Sequence, residues 1–299
     1  MRKKIDYALI RSFLMIGKIL PQKWIYTWSL GLFKLYYKLK PKRVDIMHAN
    51  IKRGFPDLTE EALESFGKEV YEETAKTTAE LVLLYHDRLD IDAVVINKEE
   101  TLQKLKALNK DTSNGIIYIM AHYGNWELLG HFMAKNGFPL VGVVKEGRNS
   151  LIEQKILIPF RAKFGNSPVG HASSMIAITK ALKAQKSVSL AIDQVVQPPN
   201  GVVVDFFGHA TAATKAIAML KLKYDPLVVP IFLTRVDKQR FKVDIHAPIE
   251  VVFEGGLPEE EKIVEMTQRY YQVIEEQIRE APQQWLWFYN RWKRIRFER

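Results

Sequence analysis

His122 and Glu127, in the run Met120-Ala-His-Tyr-Gly-Asn-Trp-Glu-Leu-Leu-Gly130, place an imidazole and a carboxylate five residues apart at the start of an apolar segment. A carboxylate on one ring nitrogen of a histidine fixes its tautomer and favours the imidazolium, leaving the other nitrogen free to take a proton from a hydroxyl. That is base chemistry without a protein nucleophile, and the absence of cysteine removes thiol catalysis and thiolate metal sites. A lone histidine after a strand is more often structural, and a glutamate in the first turn of a helix is favoured by the helix dipole whatever its function. His131, four residues beyond Glu127, would complete a His/Glu/His metal set on one helical face, but a spacing of four arises easily and no further ligand clusters nearby. No metal is expected at this site. "GVVKEGRN" (142–149) lacks the Lys-Ser/Thr of a phosphate-binding loop and "GNSPVG" (165–170) is not a Gly-x-Ser-x-Gly elbow, so nucleotide hydrolysis and serine-hydrolase chemistry lose support.

To work together these residues must be held at a strand end. "GIIYIMA" (115–121), "PLVGVV" (139–144), "SVSLAI" (187–192), "PLVVPIFL" (226–233) and "FKVDIHAPIEVV" (241–252) are predicted strands, mostly continuous apolar runs of the buried type. Helices are predicted over 126–136, 150–164, 173–185, 211–223 and 259–280, and the alternation implies an α/β layer with a largely parallel sheet. His122 then falls at a strand's carboxyl end, where open α/β sheets gather their functional groups. Asn125 is placed to cap the next helix, with Trp126 first in it and Glu127 in its first turn. Asp193 and Gln194 end the strand "SVSLAI", ahead of the apolar loop that holds Phe207 and Gly208.

The first hundred or so residues read as wholly helical. Ile5, Leu9, Phe13, Ile16 and Leu20 fall on one face of a basic amphipathic helix, and Pro21 opens a second helix carrying Trp24 and Trp28 that Pro41 ends. Thr59 starts a further helical stretch to Tyr85. A helical segment, 1–108, is thus expected to pack closely on an α/β core, 109–299, the two forming one compact unit. No apolar run approaches the roughly 20 residues that span a bilayer, so any membrane contact is expected at the surface. The chain of 299 residues carries 44 Lys and Arg against 34 Asp and Glu, a net charge of +10 that favours an anionic partner. Five of six tryptophans lie near the termini, and "QQWLWFYNRWKRIRFER" mixes rings with cations, a pattern suited either to packing on the core or to a membrane or acidic-carrier contact.

"AHYGNWELLG", "AIDQ", "VDFFGHATAATKAIAML" and "APQQWLWFYNRWK", in this order over nearly the whole chain, resemble the lipid A biosynthesis acyltransferase family. These are the late lauroyl or myristoyl transferases, related to phosphatidylinositol mannoside acyltransferases. The resemblance implies a glycerolipid-acyltransferase-like α/β fold, a mixed sheet flanked by helices with a membrane-associating helical N-terminus. It implies that His122 and Glu127 form a catalytic dyad in which His122 deprotonates a hydroxyl of a lipid A precursor and Glu127 orients the ring. The acyl donor would be a thioester of acyl carrier protein or coenzyme A, with no resident cofactor. Substrate contacts would come from Asn125, Trp126, Asp193, Gln194, Phe207 and Gly208. The oxyanion donor is left open among Lys145, Arg148 and Arg161, because Lys145 and Ser150 stand where the family pattern has Arg and Pro. Implied partners are the thioester, an anionic glycolipid and the cytoplasmic face of a bacterial inner membrane, and not nucleic acid. Two alternatives are an acyltransferase with another glycolipid or phospholipid acceptor, and a non-catalytic basic protein binding membranes or nucleic acid.

Overall fold

Strand β1 (Ile116–Met120) is apolar at every position because both faces of its sheet are covered: Ile117 and Ile119 enter one core, Ile116, Tyr118 and Met120 the other. The computed structural model describes residues 2–39, 41–110, 112–144, 149–170, 174–253 and 256–295. Within them β1 is joined by β2 (Leu140–Val144), β3 (Ser167–Gly170), β4 (Ser187–Ala191), β7 (Leu227–Asp237) and β8 (Arg240–Ile245), in the order β3-β2-β4-β1-β7-β8. Neighbours pair in parallel except β7 with β8, giving the mixed sheet expected from the sequence.

One face is covered by α6 (Trp126–Lys135) and by parts of α2 (Gln22–Leu39), α4 (Glu60–Tyr85) and α5 (Lys98–Lys110). The other meets α3 (Pro41–Gly54), α9 (Ser174–Lys183), α10 (Ala216–Tyr224) and α11 (Glu259–Glu280), with Trp285 and Trp287. Leu63 and Val70 of α4 enter one core and Val82 and Leu83 the other, so one helix touches both. Thr59 caps α4 by accepting from Ala62 N–H. Helix α1 (Arg2–Ile19) contacts α4, and Leu9, Ile19, Trp24, Leu32 and Leu35 on α1 and α2 remain exposed. No helix among the described residues is long and apolar enough to cross a membrane.

Besides the strands β3 and 201–206, which the sequence pattern does not predict, three expected elements differ. The 211–223 helix begins only at Ala216, because 209–214 form β6 (His209–Thr214) against β5 (Gly201–Phe206); ladder pairing overrides the helical preference of the alanines. The strand expected to run to 252 ends at Ile245. Residues 150–161 make α7 (Ser150–Ile152), a π-helical turn over Glu153–Leu157, and α8 (Ile158–Arg161). Pro159, lacking an N–H, cannot continue a regular α-helical ladder, and the widened turn sets the approach of Arg161.

Candidate active site

The register of β1 with β4 pairs Met120 with Ala191, so the chain leaves both strands side by side and brings His122 against Asp193. His122 Nδ1 lies 2.8 Å from Asp193 Oδ1, and the backbone N–H of His122 donates to Oδ2 at 3.1 Å. Trp285 Nε1 also donates to Oδ2, at 2.9 Å. Burial pushes the Asp193 carboxyl up, but the charge and hydrogen bonds of His122, with that of Trp285, outweigh it and hold the group below the usual carboxylate range. For His122, burial favours the neutral ring, yet the charge and hydrogen bond of Asp193, then the charge of Glu127, keep its pKa above the ordinary value; Arg161 opposes them. An ionised Asp193 only accepts, so the neutral imidazole carries its proton on Nδ1 and offers the Nε2 lone pair. The side-chain nitrogen of Gln194 is 3.5 Å from that Nε2.

The loop geometry follows from two residues. Gly124 has φ +57°, and a Cβ there would collide with the carbonyl oxygen of Leu233, so the chain passes β7 only as glycine. Asn125 caps α6 by accepting from Leu128 N–H at 3.0 Å and donates to Glu80 Oε2 at 2.9 Å. Glu80, fully buried, is also ion-paired to Arg235, which reaches Glu73 at 2.7 Å. This α4–β7 network holds the back of the loop that carries His122, and a buried ion pair of this kind is worth more for geometry than for net stability. From the C-terminal side Leu286 N–H donates to the His122 carbonyl at 3.0 Å, and Gly124 N–H to that of Gln284 at 3.0 Å.

Glu127, expected on the imidazole, is instead held by Arg161: guanidinium Nε lies 2.9 Å and Nη2 2.5 Å from Oε1. A bidentate guanidinium captures the first-turn carboxylate, while the adjacent strand delivers Asp193 to the ring. The ring's orienting carboxylate is therefore Asp193, and Glu127 acts on His122 through its charge. His131 has its ring nitrogens 2.7 and 2.9 Å from the carbonyl oxygens of Glu127 and Phe160, so it does not converge with His122 and Glu127 as a metal set would require. Trp126 stands edge-on to the imidazole, with ring centroids 5.0 Å apart.

A cavity of about 790 Å³ opens at His122 and is lined at that end by Trp126, Glu127, Arg161 and Gln194. Most of the remaining lining is apolar, with Leu140, Val143, Val144, Pro168 and Ile192, beside the polar Asn166, Ser189 and Thr214. A mostly apolar cleft with a small number of polar groups is the usual form of a small-molecule site. Phe207 and Gly208 do not line it. They form the two-residue turn between β5 and β6, with φ +56° and +73°, as a hairpin of twisted strands demands, and Phe207 is buried against Trp285 and Trp287. Lys145 and Arg148 lie outside the described residues.

Trp285 is the site residue that sequence reasoning missed. Trp285 and Trp287 are buried, so this part of the C-terminal segment packs on the core instead of meeting a membrane. Its signal was faint: a buried indole N–H needs an acceptor, and a buried carboxylate needs donors.

On the α/β sheet the structure thus sets a buried carboxylate–imidazole pair, His122 and Asp193, at the wall of a cavity that Gln194 also lines. The family profile described as bacterial lipid A biosynthesis acyltransferase matches residues 2–294, and the chain belongs to this family. It is an acyltransferase of lipid A or related lipid biosynthesis, which displaces the non-catalytic alternative. A comparison with curated proteins gave no match.

Proposed function

We propose that this enzyme moves a fatty acyl chain from a thioester of acyl carrier protein or coenzyme A to a hydroxyl of a lipid A precursor, with His122 as general base. The observation that carries the reading is the Nε2 of His122, backed by Asp193 and turned to the apolar cavity. The acceptor hydroxyl gives its proton to Nε2 as its oxygen bonds to the thioester carbonyl carbon. The resulting oxyanion collapses, the C–S bond breaks, and the imidazolium returns the proton to the sulfur, leaving an ester and a free thiol. Asp193 stabilises the transient imidazolium; the Glu127–Arg161 pair keeps a cation at the cavity without leaving either charge unpaired.

Both substrates carry negative charge in their phosphorylated or carrier portions, which suits a net charge of +10. Exposed Leu9, Ile19, Trp24, Trp28 and Leu35, with Lys18, Lys23 and Lys38 on the same two helices, support a peripheral seat on an anionic bilayer, the cytoplasmic face of an inner membrane. Purified enzyme given an acyl thioester and anionic vesicles holding a lipid A precursor is expected to pellet with the vesicles and to release one thiol per new ester. Acylation of a plain phospholipid at an equal rate would replace the acceptor, and enzyme left in the supernatant would remove the membrane seat.

A further inference from the structure

We infer that Gln194 is a catalytic hydrogen-bond donor whose side-chain amide binds the oxyanion of the tetrahedral intermediate. The inference rests on the thioester-transfer reading and adds the group that reading leaves open. Asp193 and Gln194 are consecutive and take opposite sides of one ring: Asp193 holds Nδ1 at 2.8 Å, and the Gln194 amide nitrogen stands 3.5 Å from Nε2. A contact of that length is a weak hydrogen bond, readily given up to a hydroxyl arriving at Nε2. The hydroxyl oxygen would sit about 2.8 Å from Nε2, and the oxyanion forms on the carbon bonded to that oxygen. The displaced amide is thus beside the place where charge develops, within the reach of roughly 3 Å that an oxyanion donor needs. Gln194 lines the same cavity, and its backbone follows a carboxylate fixed by three hydrogen bonds, so its starting point is well defined.

Among the described residues the competing cation, Arg161, is less well suited. Arg161 directs Nε and Nη2 at Glu127, and its charge acts against protonation of His122, which the reaction requires. A neutral carboxamide stabilises the oxyanion without that opposition. It also sets no charge next to the base in the resting enzyme.

The test is steady-state acyl transfer by the full-length Gln194→Met variant, close in size but without amide protons, with His122→Ala run beside it. A fall in kcat of about 10²- to 10³-fold is expected, with KM for the thioester within about threefold, the acid limb of the pH profile in place and the melting temperature unchanged. Gln194→Glu, of the same shape, is expected to be slower still and to move the acid limb to higher pH, because its carboxylate favours the imidazolium and repels the oxyanion. If the methionine variant melts early, Gln194→Ala, also without a side-chain donor, carries the same comparison. Near wild-type kcat in Gln194→Met, with His122→Ala inactive, overturns the role of Gln194 alone. A fall in kcat accompanied by a shifted acid limb in Gln194→Met also overturns it, since the residue would then act on His122. Full activity of His122→Ala would overturn the underlying base mechanism.

Discussion

His122→Ala is expected to slow acyl transfer by about 10²- to 10⁴-fold while leaving the protein folded. In the proposed reaction the imidazole both takes the acceptor proton and returns it to the thiol, and its loss removes both steps. Its backbone N–H still meets Asp193 and its carbonyl still accepts from Leu286, so the loop keeps its anchors. The effect belongs in kcat, because the apolar walls that would hold the acyl chain are untouched. Acyl transfer assayed on the folded variant, with folding checked by thermal melting, measures it; a rate near wild type would refute the base role.

Asp193→Asn is expected to lower kcat by about 10³- to 10⁴-fold, although it removes no atom that reaches the substrate. Three N–H groups converge on the carboxylate, and an amide can accept on only one side. If its NH2 faces Nδ1, the ring is driven to the tautomer with Nε2 protonated, which cannot act as a base. If its oxygen faces Nδ1, the NH2 confronts the N–H groups of His122 and Trp285. The pH dependence has a definite sign. In the wild type the His122 pKa is held above its ordinary value, so with His122 as base activity is expected to fall as pH drops through that raised value. Without the Asp193 charge, burial is less opposed, and the acid limb of the residual activity moves to lower pH. A pH–rate profile of the variant reads this; a limb that stayed in place or rose would mean another group sets the His122 pKa.

The strand–helix alternation around residues 115–136 was legible because it is local: an apolar five-residue run, a glycine, an asparagine cap and a helical face. The partner of His122 was not legible. The nearest carboxylate in sequence, Glu127, was the natural choice, yet the register of two parallel strands 71 residues apart in pairing brings Asp193 instead. Phe207 and Gly208 illustrate the converse. Their positive φ values serve a hairpin, a demand of strand twist, and nothing in residue type separates a turn glycine from a ligand-binding one. Trp285 needed the same long-range information, since only the folded chain shows that its indole meets a buried carboxylate.

Transfer of an acyl chain to lipid A through His122 is tested by mass spectrometry of lipid A from cells in which this gene is deleted and then restored as wild type or His122→Ala. The deletion strain is expected to hold lipid A one acyl chain short, repaired by the wild-type gene and not by the variant. Lipid A of unchanged mass in the deletion strain, or repair by His122→Ala, would contradict transfer through His122.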